Sequence, residues 1–324
     1  MKLAWPIEID MPGIAQGYSR VNRELRASLA RAGAEITDDA DVGLYVGPAD
    51  LFDPQFPVNV LLTMYETETI PPSWVERCNR ASAVLVPCTH NREAFKRSGV
   101  HVPIYTVNLG LHGAEWPTVQ RTENGPFRIL FVGWPNQRKG LDVLAKAFFA
   151  AFIDEPGVEL YLKTSQAWST NSAAYTLKGV ERLIVDDRQI DHTELVRLYH
   201  SAHVFVLPSR GEGWGYPAME AMATGCPTVA TYYSGLREFV TPRTGWPIKH
   251  GWSDVDYGHQ TRAAEPDVEH LAEILTAIRK DYGHAVKKAM RAAEHVKTYL
   301  TWSQTAERTL TCIERVRTRA LAPA

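Results

Sequence analysis

Cysteine is scarce in this chain. Cys78, Cys88, Cys226 and Cys312 are the only four in 324 residues, with no CxxC pair and no metal-type spacing. That excludes a disulfide scaffold and a thiolate metal centre, and reads as reduced, mostly structural thiols of a cytoplasmic protein. Long apolar runs are missing as well. No stretch approaches the ~20 residues a membrane span needs. The N-terminus, Met-Lys-Leu-Ala-Trp-Pro-Ile-Glu-Ile-Asp, lacks the basic flank and sustained apolar core of a signal peptide. Neither sign of charge dominates: 35 Lys and Arg face 37 Asp and Glu, a net −2. Residues 1–116 hold 10 basic and 14 acidic side chains and the remainder 25 and 23, so no part is a polycation with a broad grip on nucleic acid.

What is present suits a globular protein of two domains. The chain is too long for one ordinary core, and 45% hydrophobic residues supply material for two. The first part alternates strand and helix signals. A short apolar run, Leu3 to Ile9, precedes a glycine-punctuated stretch, Gly13 to Gly17, and an amphipathic helix, Tyr18 to Ala32. Strand candidates follow at Val42–Val46, Val58–Met64, Ala83–Val86 and Ile104–Asn108. The stretch Gly113 to Pro126 has no periodicity and reads as a linker. A second β/α series then runs through strands Phe127–Val132, Val158–Lys163, Arg182–Asp186, Val204–Leu207 and Thr228–Thr231. Its helices are Leu141–Phe152, Thr193–Ser201, Asp267–Asp281 and His284–Thr298. Such alternation predicts an α/β fold built on parallel, doubly wound sheets. Ligands of such sheets sit outside the carboxyl ends of the strands.

One segment carries more chemistry than the rest: Pro208-Ser-Arg-Gly-Glu-Gly-Trp-Gly-Tyr-Pro-Ala-Met-Glu220. It follows an apolar strand and leads into a helix in which Pro217 suits the first turn. Gly211, Gly213 and Gly215 allow close backbone approach to a ligand, and a helix start behind such a loop favours anions. Glu212 and Glu220 lie eight positions apart. Carboxylates accept hydrogen bonds, so a pair flanking a phosphate site suits sugar hydroxyls. The plainer alternative is a strand–loop–helix joint with two surface glutamates.

This segment resembles the donor-site motif of the retaining glycosyltransferases of family 4. Phe131-Val-Gly-Trp-Pro-Asn-Gln-Arg-Lys-Gly-Leu-Asp142 is similar to the family's strand, glycine turn and Lys-Gly helix start. Leu195 to Ala202, Gly225 to Thr231 and Ser234-Gly-Leu-Arg-Glu238 resemble its neighbouring elements, and Gly17 to Leu25 and Val86 to Phe95 its weaker signals in the first half. The likeness is strong over residues 127–240. It implies GT-B architecture: two Rossmann-like doubly wound domains facing across a cleft. The expected division is an acceptor-side domain over residues 1–116, a donor domain over 117–300, and a last helix in 301–324 packing back on the first domain.

The resemblance implies a retaining, metal-independent transfer of a hexose, with UDP-glucose the first choice of donor, and no cofactor. Glu212 is then expected to hold the transferred hexose, with Lys139 and Arg138 as cations at the diphosphate, and these three form the catalytic set. Donor binding is expected of Glu220 (ribose), Gly213, Trp214, Gly215, Tyr216, Gly17, Gly133 and Lys163. Trp134 stands after Gly133 where the family commonly has an arginine, so that either Arg138 or Lys163 supplies the second cation or the phosphate site is weaker. Met64-Tyr-Glu-Thr-Glu68 replaces a stretch where many relatives carry a histidine, making Glu66 an acceptor-side candidate beside Arg20 and Arg23. His90 and His112 read as structural or solvent-facing. Asp254-Val-Asp256 has the DxD form of a metal site, but it falls in a Gly/His/Trp-rich stretch, His250 to Gln260, that reads as a loop without a leading strand. The acceptor is expected to be a saccharide or small molecule. The alternatives are a hydroxymethylated base in phage-type DNA, a nucleotide-sugar epimerase or hydrolase, and a non-catalytic sugar-nucleotide binder.

Overall fold

A computed structural model describes residues 1–7, 16–123, 125–164 and 182–320. The chain divides into two compact units. Unit 1 comprises Met1–Leu111, Asp254–Arg262 and Tyr299–Ala324, and unit 2 comprises His112–Ser253 and Ala263–Thr298.

In unit 1, β3 (Val42–Val46), β4 (Val58–Leu62), β5 (Ala83–Val86) and β6 (Ile104–Thr106) form a parallel sheet in that order. The first three of these strands are buried throughout, as happens when both faces of a parallel sheet are covered. β1 (Lys2–Leu3) pairs with β2 (Glu35–Ile36), and Ala4 bridges Gly43 of β3, which places β1 beside β3. The far end of the expected first strand, residues 8 and 9, and Gly13 lie outside the described residues. Helices α1 (Gln16–Arg31), α2 (Pro72–Asn79) and α3 (Thr89–Ser98) connect the strands. The buried core gathers Tyr45, Phe52, Leu61, Trp74 and Phe95.

Unit 2 holds six strands: β7 (Phe127–Val132), β8 (Val158–Lys163), β9 (Leu183–Asp186), β10 (Val204–Leu207), β11 (Thr228–Thr231) and β12 (Trp246–Ile248). Their spatial order is β12-β11-β10-β7-β8-β9, all in parallel register. Its helices are α4 (Leu141–Phe152), α5 (His192–Ser201), α6 (Tyr216–Ala223), α7 (Val268–Lys280) and α8 (Tyr282–Tyr299). The α5 start is fixed by a capping box: the Asp191 carboxylate accepts the Glu194 amide, and the Glu194 side chain accepts the Asp191 amide. The closing helix α9 (Trp302–Ala320) packs on α1 and β4.

Two stretches differ from the sequence reading. The expected linker from Gly113 is packed: Trp116 is 1% exposed and meets the rings of His192 and Tyr199. Arg121 in the same stretch is buried, with its guanidinium donating to the carbonyls of Tyr199, His200, Ala202, Thr224 and Gly225. These carbonyls lie at and just past the C-terminal ends of α5 and α6, where a cation is favoured by the helix dipoles. The stretch His250 to Gln260 is not a loop. It contributes to two strands, β13 (His250–Asp256) and β14 (Gln260–Pro266), joined by three residues into a hairpin. Neither strand is buried on a full face, so the alternation that marks a strand in sequence is absent.

Candidate active site

β7 and β10 are neighbours in space although β8 and β9 separate them in sequence. The direction in which successive strands are added to the sheet reverses here, and loops leaving such a point diverge to form a ligand crevice at the carboxyl ends. The loop after β7 carries Gly133 to Lys139, and the loop after β10 carries Pro208 to Gly215. They touch backbone to backbone. Gly140 has φ +70, and a Cβ on it would stand 1.9 Å from the Pro208 carbonyl oxygen. Any side chain at residue 140 would push the loops apart.

Arg210 clamps the two loops. Its guanidinium is bidentate to Asp142 at 2.8 and 2.9 Å and to Glu265 of β14 at 2.7 and 2.8 Å, and it also donates to the Gln137 carbonyl. Its backbone amide donates to the Arg138 carbonyl. Planar forks matched on two carboxylates hold position as well as charge. Asp142 feels burial first, which opposes ionisation, yet Arg210 holds its carboxyl below the ordinary range. Sequence reading missed this clamp. Arg210 and Asp142 both stand inside the motifs quoted above, whereas Glu265 has no local signal.

The clamp brings the expected charges together. Lys139 Nζ donates to both Glu212 oxygens, at 2.7 and 3.0 Å, and Arg138 stands 3.3 Å from the same carboxylate. Lys139 is 9% and Glu212 6% exposed. Burial alone would raise the Glu212 pKa, but Lys139 and Arg138 lower it below the ordinary value, so the carboxylate is ionised. The Asn136 side chain accepts the Lys139 amide and sets the short helical turn Gln137–Lys139. The Glu212 amide donates to Ser234 Oγ at 2.8 Å, and the Glu212 carbonyl accepts the Gly235 amide at 3.0 Å. Ser234 has φ +49, a left-handed conformation that costs energy for a non-glycine residue and clusters at functional sites. A Cβ on Gly235 would stand 2.7 Å from the Gly213 carbonyl, so this loop too lies against the motif's backbone.

α6 begins after Gly215, with Tyr216 as its first residue and half-buried. Glu220, 5% exposed within that helix, accepts a hydrogen bond of 2.8 Å from the Tyr199 hydroxyl. The Trp214 ring is 2% exposed and packs on Phe239 at 5.2 Å, so the indole is part of the core beneath the loop. Lys163 also stands apart from the cluster. Its ammonium donates to the carbonyls of Thr164, Asp186 and Arg188, which takes up all three N–H groups. Of the two expected second cations, only Arg138 therefore reaches Glu212. Gly133 at the end of β7 donates its amide to the Lys163 carbonyl, and Trp134 is 43% exposed.

The remaining candidates belong to unit 1. Gly17 is exposed near the start of α1, Arg20 and Glu66 are half-buried, and Arg23 is exposed with its guanidinium on Glu24 at 2.9 Å. Tyr18, which sequence reading passed over, ties α1 to the end of β4: its hydroxyl donates to the Met64 carbonyl and accepts the Met64 amide. His90 is buried with Nε2 3.1 Å from the Thr67 carbonyl. In the hairpin turn, Asp256 accepts from the Gly258 amide and the Gln260 side chain. Among the described residues there is no group of three or more His, Cys, Asp or Glu placed to hold a metal, and no helix is long and apolar enough to cross a membrane.

Comparison with known proteins gives the family and the fold. The family described as Family 4 Glycosyltransferase in conflict systems matches residues 88–309. A glycogen synthase of Mycobacterium tuberculosis is 32% identical over 174 residues, 52% of this chain and 41% of that protein, so the match spans well under half of the relative. Among solved structures, a sucrose-phosphate synthase from Thermosynechococcus elongatus superposes with a TM-score of 0.73 at 18% identity, covering 98% of this chain and 99% of that one. HepE of Anabaena, solved with UDP and glucose, gives 0.75 at 13% identity over 97% and 100%. Likeness at that identity shows the fold alone, and the fold is the GT-B architecture.

Proposed function

The chain belongs to the family 4 glycosyltransferases of conflict systems, and on that premise we propose that it moves a hexose from a nucleotide sugar to a hydroxyl acceptor. The observation that carries the reading is the buried Lys139–Glu212 pair, with Arg138, at the reversal point of the unit 2 sheet. Breaking an anomeric carbon–phosphate bond puts negative charge on the leaving diphosphate while the sugar becomes oxocarbenium-like. Preorganised cations lower that barrier most where water is excluded. Lys139 and Arg138 are the cations proposed to face the phosphate. Glu212 takes hexose hydroxyls, and Glu220, held by Tyr199, takes the ribose diol. Configuration is retained, the leaving phosphate accepting the proton of the attacking hydroxyl on the same face. The reaction proceeds without a metal. UDP-glucose is the proposed donor, in keeping with the UDP and glucose named for HepE. The acceptor is proposed to be a saccharide or small molecule.

A thermal-shift screen over UDP, GDP and ADP identifies the base, since stabilisation follows ligand concentration over affinity. Labelled nucleotide sugars, with and without acceptor, test transfer. Released epimer or free hexose would replace transferase by epimerase or hydrolase, and binding without turnover would leave only a sugar-nucleotide binder. Transfer that EDTA abolishes and Mn²⁺ restores would overturn the metal-free mechanism.

One observation favours a second acceptor. α1 and α9, packed together in unit 1, carry eight arginines, three glutamates and no lysine. Guanidinium forks suit phosphodiesters, which supports hydroxymethylated bases in DNA as acceptor. Label transferred to hydroxymethylcytosine DNA alone, and falling steeply with salt, would establish that reading over the first.

A further inference from the structure

Trp252, on β13, is 47% exposed, an unusual setting for an indole. It is braced rather than loose. The Tyr233 ring meets it at 5.4 Å and 88°, and the His250 ring at 5.1 Å and 84°; those two supports stand 5.4 Å from each other. Tyr233 is itself 3% exposed, so the group is anchored in the core of unit 2.

The brace connects directly to the Glu212 loop. Tyr233 precedes Ser234, whose Oγ accepts the Glu212 amide, and Gly235, whose amide donates to the Glu212 carbonyl. The hairpin partner β14 reaches the same loop from the other side: the Ala264 amide donates to the Arg210 carbonyl, and Glu265 takes the Arg210 guanidinium. Trp252 is therefore held in a fixed relation to the carboxylate proposed to hold the transferred sugar. Both β11 and β12, whose ends lead to Tyr233 and His250, finish at the carboxyl edge of the sheet, the edge that carries the site.

We propose that Trp252 is a stacking platform for a pyranose ring of the acceptor saccharide, beside the Glu212 loop. The inference rests on the saccharide reading of the proposed function and sharpens it. A pyranose has one face of C–H groups and a rim of hydroxyls. A flat indole face matches that C–H face. A protein partner would need a contiguous apolar patch, whereas the strand residues that share a face with Trp252, two positions to either side, are His250 and Asp254. A nucleic acid would need phosphate-binding cations in number, whereas the nearest charged residues in sequence, Lys249 and Asp254, cancel.

The test is saturation-transfer NMR with maltopentaose, cellopentaose and chitopentaose, and separately with a dT10 oligonucleotide, in the presence of UDP. Wild type should receive saturation at pyranose C–H protons from at least one pentasaccharide. Trp252→Ala should weaken that sugar on the order of tenfold, and Trp252→Phe, which keeps a ring, should retain most of it. The UDP-induced thermal shift reports that each variant is folded. Glu212→Gln should keep pentasaccharide binding, so a failure of glycosyl transfer is read separately from a failure of the platform. Equal sugar affinity in Trp252→Ala, no pentasaccharide bound by wild type, or binding of dT10 alone that Trp252→Ala removes would each overturn the proposal.

Discussion

Lys139 and Lys163 form an instructive pair. Both are buried lysines at the carboxyl edge of one sheet, in unit 2, after or at the end of adjacent strands. Lys139 directs two N–H groups to a side-chain carboxylate on another loop, whereas Lys163 directs three to backbone carbonyls near the ends of β8 and β9. Burial pushes the Lys163 ammonium below its ordinary value, and one of those carbonyls, that of Asp186, also accepts the Thr164 amide. Burial of a cation thus does not mark a site. What separates them is the partner: a carboxylate on a movable side chain can be exchanged for an anionic ligand, and backbone at a strand end cannot.

The largest effect that follows is on turnover. Lys139→Ala should lower it by roughly 10²–10³ under saturating donor, the scale of removing one preorganised stabiliser of developing charge. Turnover within threefold of wild type would remove the contrast altogether. Lys163→Met should act on stability instead. Leaving carbonyls unsatisfied costs about 1–3 kcal/mol, seen as a lower Tm, while turnover stays within twofold. A collapse of turnover matching that of Lys139→Ala would make Lys163 the second phosphate cation after all. The smallest effect is confined to acid. His203, at the opposite edge of the sheet, accepts the Arg128 amide on Nδ1. Burial first, then Arg121, Arg128 and Arg279, push its imidazole down from 6.5 to about 4. The unfolded chain therefore takes up this proton first. Stability from this group is complete above pH 6.5 and is lost as pH falls to about 4. His203→Gln should flatten urea stability across that window, and an unchanged slope would show that the histidine is not held neutral.

The same contrast explains what could be read in the sequence. Lys139, Glu212 and Glu220 were legible because loop glycines, strand and helix signals surround them within a few positions. The buried strands were legible for a related reason: Val42–Val46 and Phe127–Val132 are apolar runs bounded by turns. That Lys163 turns to backbone carbonyls was not legible, because position at a strand end says nothing about where an ammonium turns. The burial of Trp214 was not legible, because a tryptophan among loop glycines reads equally as ligand contact and as core. The Arg210 clamp and the Arg121 staple depend on partners 55 to 104 positions away, which no local pattern records. The hairpin of β13 and β14 was invisible because neither strand has a fully buried face to impose alternation.

Contact between Gly140 and the Pro208 carbonyl has a consequence for engineering this protein. The segments 133–142 and 207–213 are keyed to each other through a backbone approach, the Arg210–Asp142 fork and the Lys139–Glu212 pair. They behave as one cassette. A graft of either segment alone from a relative would bring in a mismatched half of a lock, whereas exchange of both together preserves the fit.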